Sequence, residues 1–244
     1  MAVAESSPLH QFNIDRIAEI RLGGIDLSYT NSALLMTLAA GLITLLMVAA
    51  TRKAALVPGR LQSLVEMLYD FIAGMVDENI GPEGRQYFPF LFTLFMFILV
   101  GNLLGMVPYS FTFTSHIVVT FALAATVFVG VTIIGIVRHG FRFLGLFAPH
   151  GVPKVLLVLL VPIEILSYCI RPFTLSIRLF ANMMVGHLML VIFAGFAGAL
   201  GFFFFAPILV DTALMLLEFL VAVLQAYVFT ILSCLYLKDA IHLH

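Results

Sequence analysis

Residues 155–198 read VLLVLLVPIEILSYCIRPFTLSIRLFANMMVGHLMLVIFAGFAG, and residues 202–237 read FFFFAPILVDTALMLLEFLVAVLQAYVFTILSCLYL. Both run far beyond the ~20 apolar residues that a straight helix needs to cross a bilayer. Yet Glu164, Arg171, Arg178, Asp211 and Glu218 interrupt them. A charge at mid-bilayer costs about 2.5–3.5 kcal/mol on insertion scales, so something must offset these groups. Their spacing suggests what. Glu164, Arg171 and Arg178 recur every seven residues, as do Asp211, Glu218 and Gln225. Seven residues is nearly two helical turns, so each set forms a stripe on one helix face. Asn182, four beyond Arg178, extends the first stripe. Two apolar helices joined by a short turn can turn such stripes toward each other, hide them from lipid and line a narrow wet path.

The rest of the chain fits a membrane protein. Of the 244 residues, 62% are hydrophobic and 10% are charged, against roughly 25% charged in a soluble domain. The apolar stretches are continuous rather than alternating, which argues against a β-barrel. Upstream of the long pair we expect spans at 29–50, 87–107 and 116–137, with an uncharged loop at Pro108-Tyr109-Ser110. Residues 57–79 differ. Glu66, Asp70 and Asp77 sit at helical spacing among Leu61, Leu64, Val65, Leu68, Phe71 and Ile72, the pattern of an amphipathic helix on the membrane surface. Residues 1–28 read as a polar, slightly acidic tail without the order of a signal peptide. The expected fold is an all-α polytopic membrane protein. It has about five crossing helices, one surface helix and a long tilted C-terminal hairpin over 155–198 and 202–237. A break of the first long stretch near Pro172 would make six crossings. Ala194–Gly201 suits a tight turn or close helix contact, and Phe202–Phe205 suits an interfacial anchor.

Arg52, Lys53, Arg60 and Arg85 cluster in one loop region, and Arg138, Arg142 and Lys154 in another. The positive-inside rule puts both in the cytoplasm, the N-terminus outside and the C-terminus inside. The net charge of −1 gives no signature for nucleic acid. Cys169 and Cys234 lie in apolar segments, at a spacing that suggests neither a disulfide nor a metal site; both read as small buried hydrophobes. Neither a metal nor a cofactor is expected, and there is no Gly-rich phosphate loop.

The residue types in the stripes divide by chemistry. Glu218, Asp211 and His187 can gain and lose a proton. Asn182, Asn102 and Gln225 can order water but not titrate usefully. Arg178 stays charged at any working pH. It can repel a proton or attract a carboxylate, so an acid-rich path containing it resembles two access routes with a barrier between them. Other readings stay open. The charges can pair within the chain and only lock helices together, Glu164 being one candidate partner for Arg171. His187 and Asn102 can be hydrogen-bonded core residues. A stand-alone transporter predicts internal repeats, and no convincing repeat is visible. A membrane scaffold predicts tolerance of neutral substitutions along both stripes. His116, His139, His150, His242 and His244 fall at span ends or tails and receive no role.

Three motifs narrow the field. Ser176-Ile-Arg178-Leu-Phe-Ala-Asn182-Met-Met-Val-Gly186-His187, Leu224-Gln225-Ala226-Tyr227-Val228-Phe229 and Gly101-Asn102-Leu-Leu-Gly105-Met-Val-Pro108 closely resemble the hallmarks of the F-type ATP synthase a subunit. Ile163-Glu164 and Ile170-Arg171-Pro172-Phe173 look most like its mitochondrial and alphaproteobacterial branch. The resemblance implies a non-catalytic, proton-translocating subunit of the Fo sector in a bacterial inner membrane, or alternatively the mitochondrial one. Its partners would be the ring of c subunits, the peripheral-stalk b subunits and other synthase subunits. It places Arg178 on the family's essential arginine, facing the c-ring carboxylate. His187 and Glu218 fall on two outer half-channel positions that some bacterial members fill the other way round. Asn182, Gln225 and Asn102 match polar channel positions, Asp211 sits near the channel mouth, and Glu164 and Arg171 form a supporting stripe. Sodium instead of protons is possible in such a family; protons are favoured because no extra cluster of oxygen ligands is visible.

Overall fold

The structure is a computed structural model that describes residues 16–18, 21–22, 25–26, 28–52, 55–106, 112–140, 143, 145, 154–199 and 205–242. Six α-helices dominate it: α1 (Asn31–Thr51), α2 (Arg60–Asn79), α3 (Phe88–Gly105), α4 (Ile117–His139), α5 (Lys154–Ala199) and α6 (Phe205–Ile241). Five helices are long and apolar enough to cross a membrane, and α2 is the exception. Ahead of them, Arg16–Ala18 pairs with Tyr29–Thr30, and Arg21–Leu22 with Ile25–Asp26, in short antiparallel ladders. The sequence reading, a plain polar tail, did not anticipate these.

The amphipathic pattern of α2 resolves in part: of the apolar residues named for it, Val65 and Ile72 are buried and Leu68 partly so, but Leu61, Leu64 and Phe71 are exposed. Val65, Ile72, Met75 and Val76 are buried, while Glu66, Asp70, Asp77 and Glu78 are exposed. Gly81, at φ 85°, turns the chain out of α2 in a backbone conformation that disfavours other residues. A 3-10 turn over Pro82–Tyr87 then leads into α3. There Asp77 accepts two hydrogen bonds from Arg85, at 3.1 Å each, which hold its carboxyl below the usual carboxylate range. Glu83 pairs with Arg138 at the end of α4. His139 meets the carbonyl of Ile241 at 2.9 Å, and His242 meets that of Ile80 at 3.3 Å. Both histidines, given no role from sequence, thus clip the end of α6 to this face of the molecule.

α3 is the centre of the core. Ten of its residues are buried, among them Leu91, Phe95, Met96, Ile98 and Asn102, and it packs against α1, α2 and α6. α5 is one continuous helix of 46 residues that contains both Pro162 and Pro172, so Pro172 does not split it. Proline forfeits a backbone hydrogen bond, but membrane helices tolerate it where neighbours satisfy the freed carbonyl. At ~1.5 Å per residue α5 is about 69 Å long, and α6, with 37 residues, about 56 Å. Neither fits upright within a ~30 Å hydrocarbon layer, so tilt, curvature or extension beyond the layer must take up the excess length.

The stretch 194–199 remains helical, within α5. Residues 200–204, which include most of the phenylalanine run, lie outside the described residues, as do Pro108-Tyr109-Ser110, Arg142 and His150. One expectation fails: Cys234 is buried, but Cys169 is exposed. It lies beside Tyr168, whose ring packs against Phe128 of α4, and so points away from that contact.

Candidate functional site: a polar lane between the last two helices

α5 and α6 run antiparallel, and side-chain pairs fix their register. His187 Nδ1 lies 2.9 Å from Glu218 Oε1. Asn182 Nδ2 donates to Gln225 Oε1 at 2.8 Å. Arg171 donates to Asp239 at 3.0 Å. As the α5 partner moves back from 187 to 171, the α6 partner advances from 218 to 239.

The two stripes differ in setting. On α6, Glu218 (4% exposed) and Gln225 (1%) are buried along with Ala222, Ala226 and Phe229. Asn102 of α3, fully buried, joins them and donates to the carbonyl of Ala222 at 3.2 Å. Asp211 is half-buried, seven residues, or about 10 Å, from Glu218 toward the tip of the hairpin. On α5 the buried face is formed by Tyr168, Pro172, Leu175, Ser176, Leu179 and Met183. The stripe runs along its edge, roughly a quarter-turn away at 3.6 residues per turn. Accordingly Glu164 and Arg171 are half-buried, and Arg178 and Asn182 are exposed.

Several buried polar atoms in the lane have no hydrogen-bond partner among the described residues: Asn102 Oδ1, Asp211 Oδ1, Glu218 Oε2 and Gln225 Nε2. A buried polar atom without a partner costs about 1–3 kcal/mol. Three of them recur along α6 and the fourth belongs to Asn102 of α3; each has capacity for a polar guest such as water. The chemistry on offer is a histidine–carboxyl pair able to exchange a proton, flanked by amides that can order water.

Arg178 behaves otherwise. It makes no hydrogen bond or ion pair among the described residues, and it is exposed, next in sequence to the exposed Ile177. An unpaired guanidinium on an otherwise apolar helix is costly in lipid. No carboxylate among the described residues pairs with it.

Pairing of Arg171 with Glu164 does not occur. Seven residues of helix separate them by about 10 Å, and the arginine instead turns to Asp239 across the helix contact. The rings of Tyr168 and Tyr236 flank it at 5.4 and 4.9 Å. Asp239 was missed in the sequence reading, although the signal existed: it is the second repeat of seven beyond Gln225, hidden because Leu232 interrupts the series. The backbone carbonyl of Ala222 left no trace in the sequence at all.

Comparison with known proteins identifies the family. Residues 33–238 match the profile of the family described as ATP synthase A chain. The ATP synthase subunit a of Paramagnetospirillum magneticum is 54% identical over 98% of this chain and 100% of its own length. That of Rhodospirillum rubrum is 54% identical, covering 98% and 99%, and that of Rhizobium etli 51% identical, covering 97% and 98%. With a matching profile over most of the chain and relatives matched along nearly their whole length, the chain belongs to the ATP synthase A chain family.

Proposed function

We propose that this chain is the stator subunit that carries protons through the membrane sector of a rotary ATP synthase. The observation that carries the reading is Arg178: a permanent cation at the exposed edge of an apolar helix, with no ion-pair partner among the described residues. A ring of c subunits, each with one carboxylate at that depth, would supply the anion. The positive-inside pattern orients the chain with its N-terminus in the periplasm and its C-terminus in the cytoplasm.

In this reading protons enter from the periplasm along Asp211, Glu218, His187 and Asn102. Glu218 and His187, in contact, pass the proton on; Asn182 and Gln225 order the water beyond them. The proton neutralises a ring carboxylate, which can then move into lipid at low cost. Arg178 holds the next, unprotonated carboxylate and blocks a direct proton path between the two sides. Past Arg178, on the half of the hairpin bearing Glu164, Arg171 and Asp239, the carboxylate releases its proton to the cytoplasm. A potential of 100 mV contributes about 2.3 kcal/mol per proton, and ring rotation carries it to the ATP-making head. The chain itself has no catalytic role in this scheme, and its partners are the c-ring, the b subunits of the peripheral stalk and other synthase subunits.

The test is Arg178→Ala in the assembled complex. ATP-driven proton pumping in inverted membrane vesicles is expected to vanish while the complex still assembles. Pumping at the normal rate would overturn the reading.

A further inference from the structure

Glu218 lies against the backbone of α5 at one residue, Gly186. A Cβ placed there would sit 3.0 Å from Glu218 Oε1, 3.2 Å from Cδ and 3.3 Å from Cγ. All three contacts are tighter than ordinary van der Waals separation, and all three fall on the one carboxyl stem. His187, the next residue, holds that same Oε1 at 2.9 Å. So α5 offers the carboxyl an imidazole to hold and a bare stretch of backbone to lie on. Glu218 has little space to retreat into, because it is 4% exposed and its α6 neighbours Ala222 and Gln225 are equally enclosed.

We infer that Gly186 is a positioning residue for proton transfer: the absence of a side chain at 186 lets the Glu218 carboxyl settle within hydrogen-bond reach of His187. The inference rests on the proposed relay role of Glu218. A methyl at 186 must push the carboxyl by a few tenths of an ångström. From 2.9 Å, such a shift carries the contact past the ~3.2 Å limit of a good N···O hydrogen bond. Every titratable group would remain, and only the geometry would change. Gly195, nine residues along the same helix, serves as the control, since a Cβ there would meet nothing within 4 Å.

The experiment measures ATP-driven proton pumping by the intact complex in inverted membranes. Gly186→Ala is expected to slow pumping roughly three- to tenfold, the scale on which sub-ångström misplacement acts. Gly195→Ala should pump normally. Glu218→Asp withdraws the carboxyl from Gly186, so adding Gly186→Ala to Glu218→Asp should cost nothing further; such non-additivity is what direct contact predicts. Normal pumping by Gly186→Ala, or the same fold-loss from it in both backgrounds, would overturn the inference. If Gly186→Ala fails to assemble, recovery of assembly in the double variant supports the contact, and continued failure overturns it. Glu218→Gln separates the two layers. If it pumps normally, the relay role itself fails; if it is slow while Gly186→Ala is normal, only the positioning role fails.

Discussion

The α5–α6 hairpin has two halves that handle polar groups in opposite ways. Toward the tip, on one side of Arg178, the lane is buried at Glu218, Gln225 and Asn102 and incompletely satisfied. His187 meets Glu218 and Asn182 meets Gln225, yet Glu218 Oε2, Gln225 Nε2 and Asp211 Oδ1 remain without partners among the described residues. Toward the base, Arg171 and Asp239 form an ion pair that is partly open, with side chains 25% and 38% exposed. Two tyrosine rings flank it, and one of them, Tyr168, also bonds Thr132 of α4 at 2.7 Å. No atom of this base cluster is among the unpartnered buried ones. The contrast teaches how to tell a path from a lock. A lock satisfies its groups within the chain. A path keeps spare hydrogen-bonding capacity at its walls, at a cost that only a mobile guest can offset.

The largest effect after loss of Arg178 should come from the tip half. Glu218→Gln keeps the shape and removes the titratable group. Because a positioned acid–base group commonly contributes 10²–10⁴-fold, pumping should fall by about tenfold or more, while the amount of assembled complex in the membrane stays the same. An unchanged rate would mean that the tip half is no path, and the comparison would break there.

A smaller and different effect is expected at the base. Asp239→Asn leaves Arg171 flanked by its two rings but without its anion. A partly exposed ion pair is worth up to about 1 kcal/mol, and the cation–π contacts remain. The complex should therefore lose thermal stability measurably, while pumping at moderate temperature falls by less than about threefold. Exchanging the charges, Arg171→Asp with Asp239→Arg, should restore part of the stability. A pumping loss as deep as that of Glu218→Gln would give the base a transport role and erase the distinction between the halves.

Much of this was legible in the sequence because a membrane turns charges into rarities. In an apolar run, Glu218 and Arg178 stand out with no structural knowledge, and the seven-residue period assigns them to faces. The helical class and the amphipathic face of α2 follow from the same hydropathy. What escaped was whatever depends on the partner across a contact. Periodicity places Arg178 and Arg171 on one stripe, but only the packing of α6 shows that one is paired and the other open. It also predicts a stripe facing its counterpart, whereas the α5 stripe lies along the rim of the contact. Gly186 is invisible to any pattern of polarity, since its role is the volume that it leaves empty. Cys169 was misjudged because small apolar residues on a lipid-facing helix need not be buried.

The weakest effect should come from the pair outside the spans, Asp77 with Arg85, and it sharpens the comparison by its response to salt. Both side chains are well exposed, at 41% and 74%. The hydrogen bonds from Arg85 hold the Asp77 carboxyl below its ordinary value. A depressed carboxyl contributes stability that is present above its unfolded value and is lost only as pH falls through the folded one. Over the range of about pH 5 to 8 that contribution is constant. Asp77→Asn should therefore lower thermal stability by the same slight amount at both ends of that range. High salt should abolish the difference, because an exposed pair is screened. The Arg171–Asp239 pair, half-shielded by Tyr168 and Tyr236, should keep most of its effect in the same buffer. Equal salt sensitivity of the two variants would mean that the tyrosines do not shield the base, and that its pair is held no more firmly than one on the open surface.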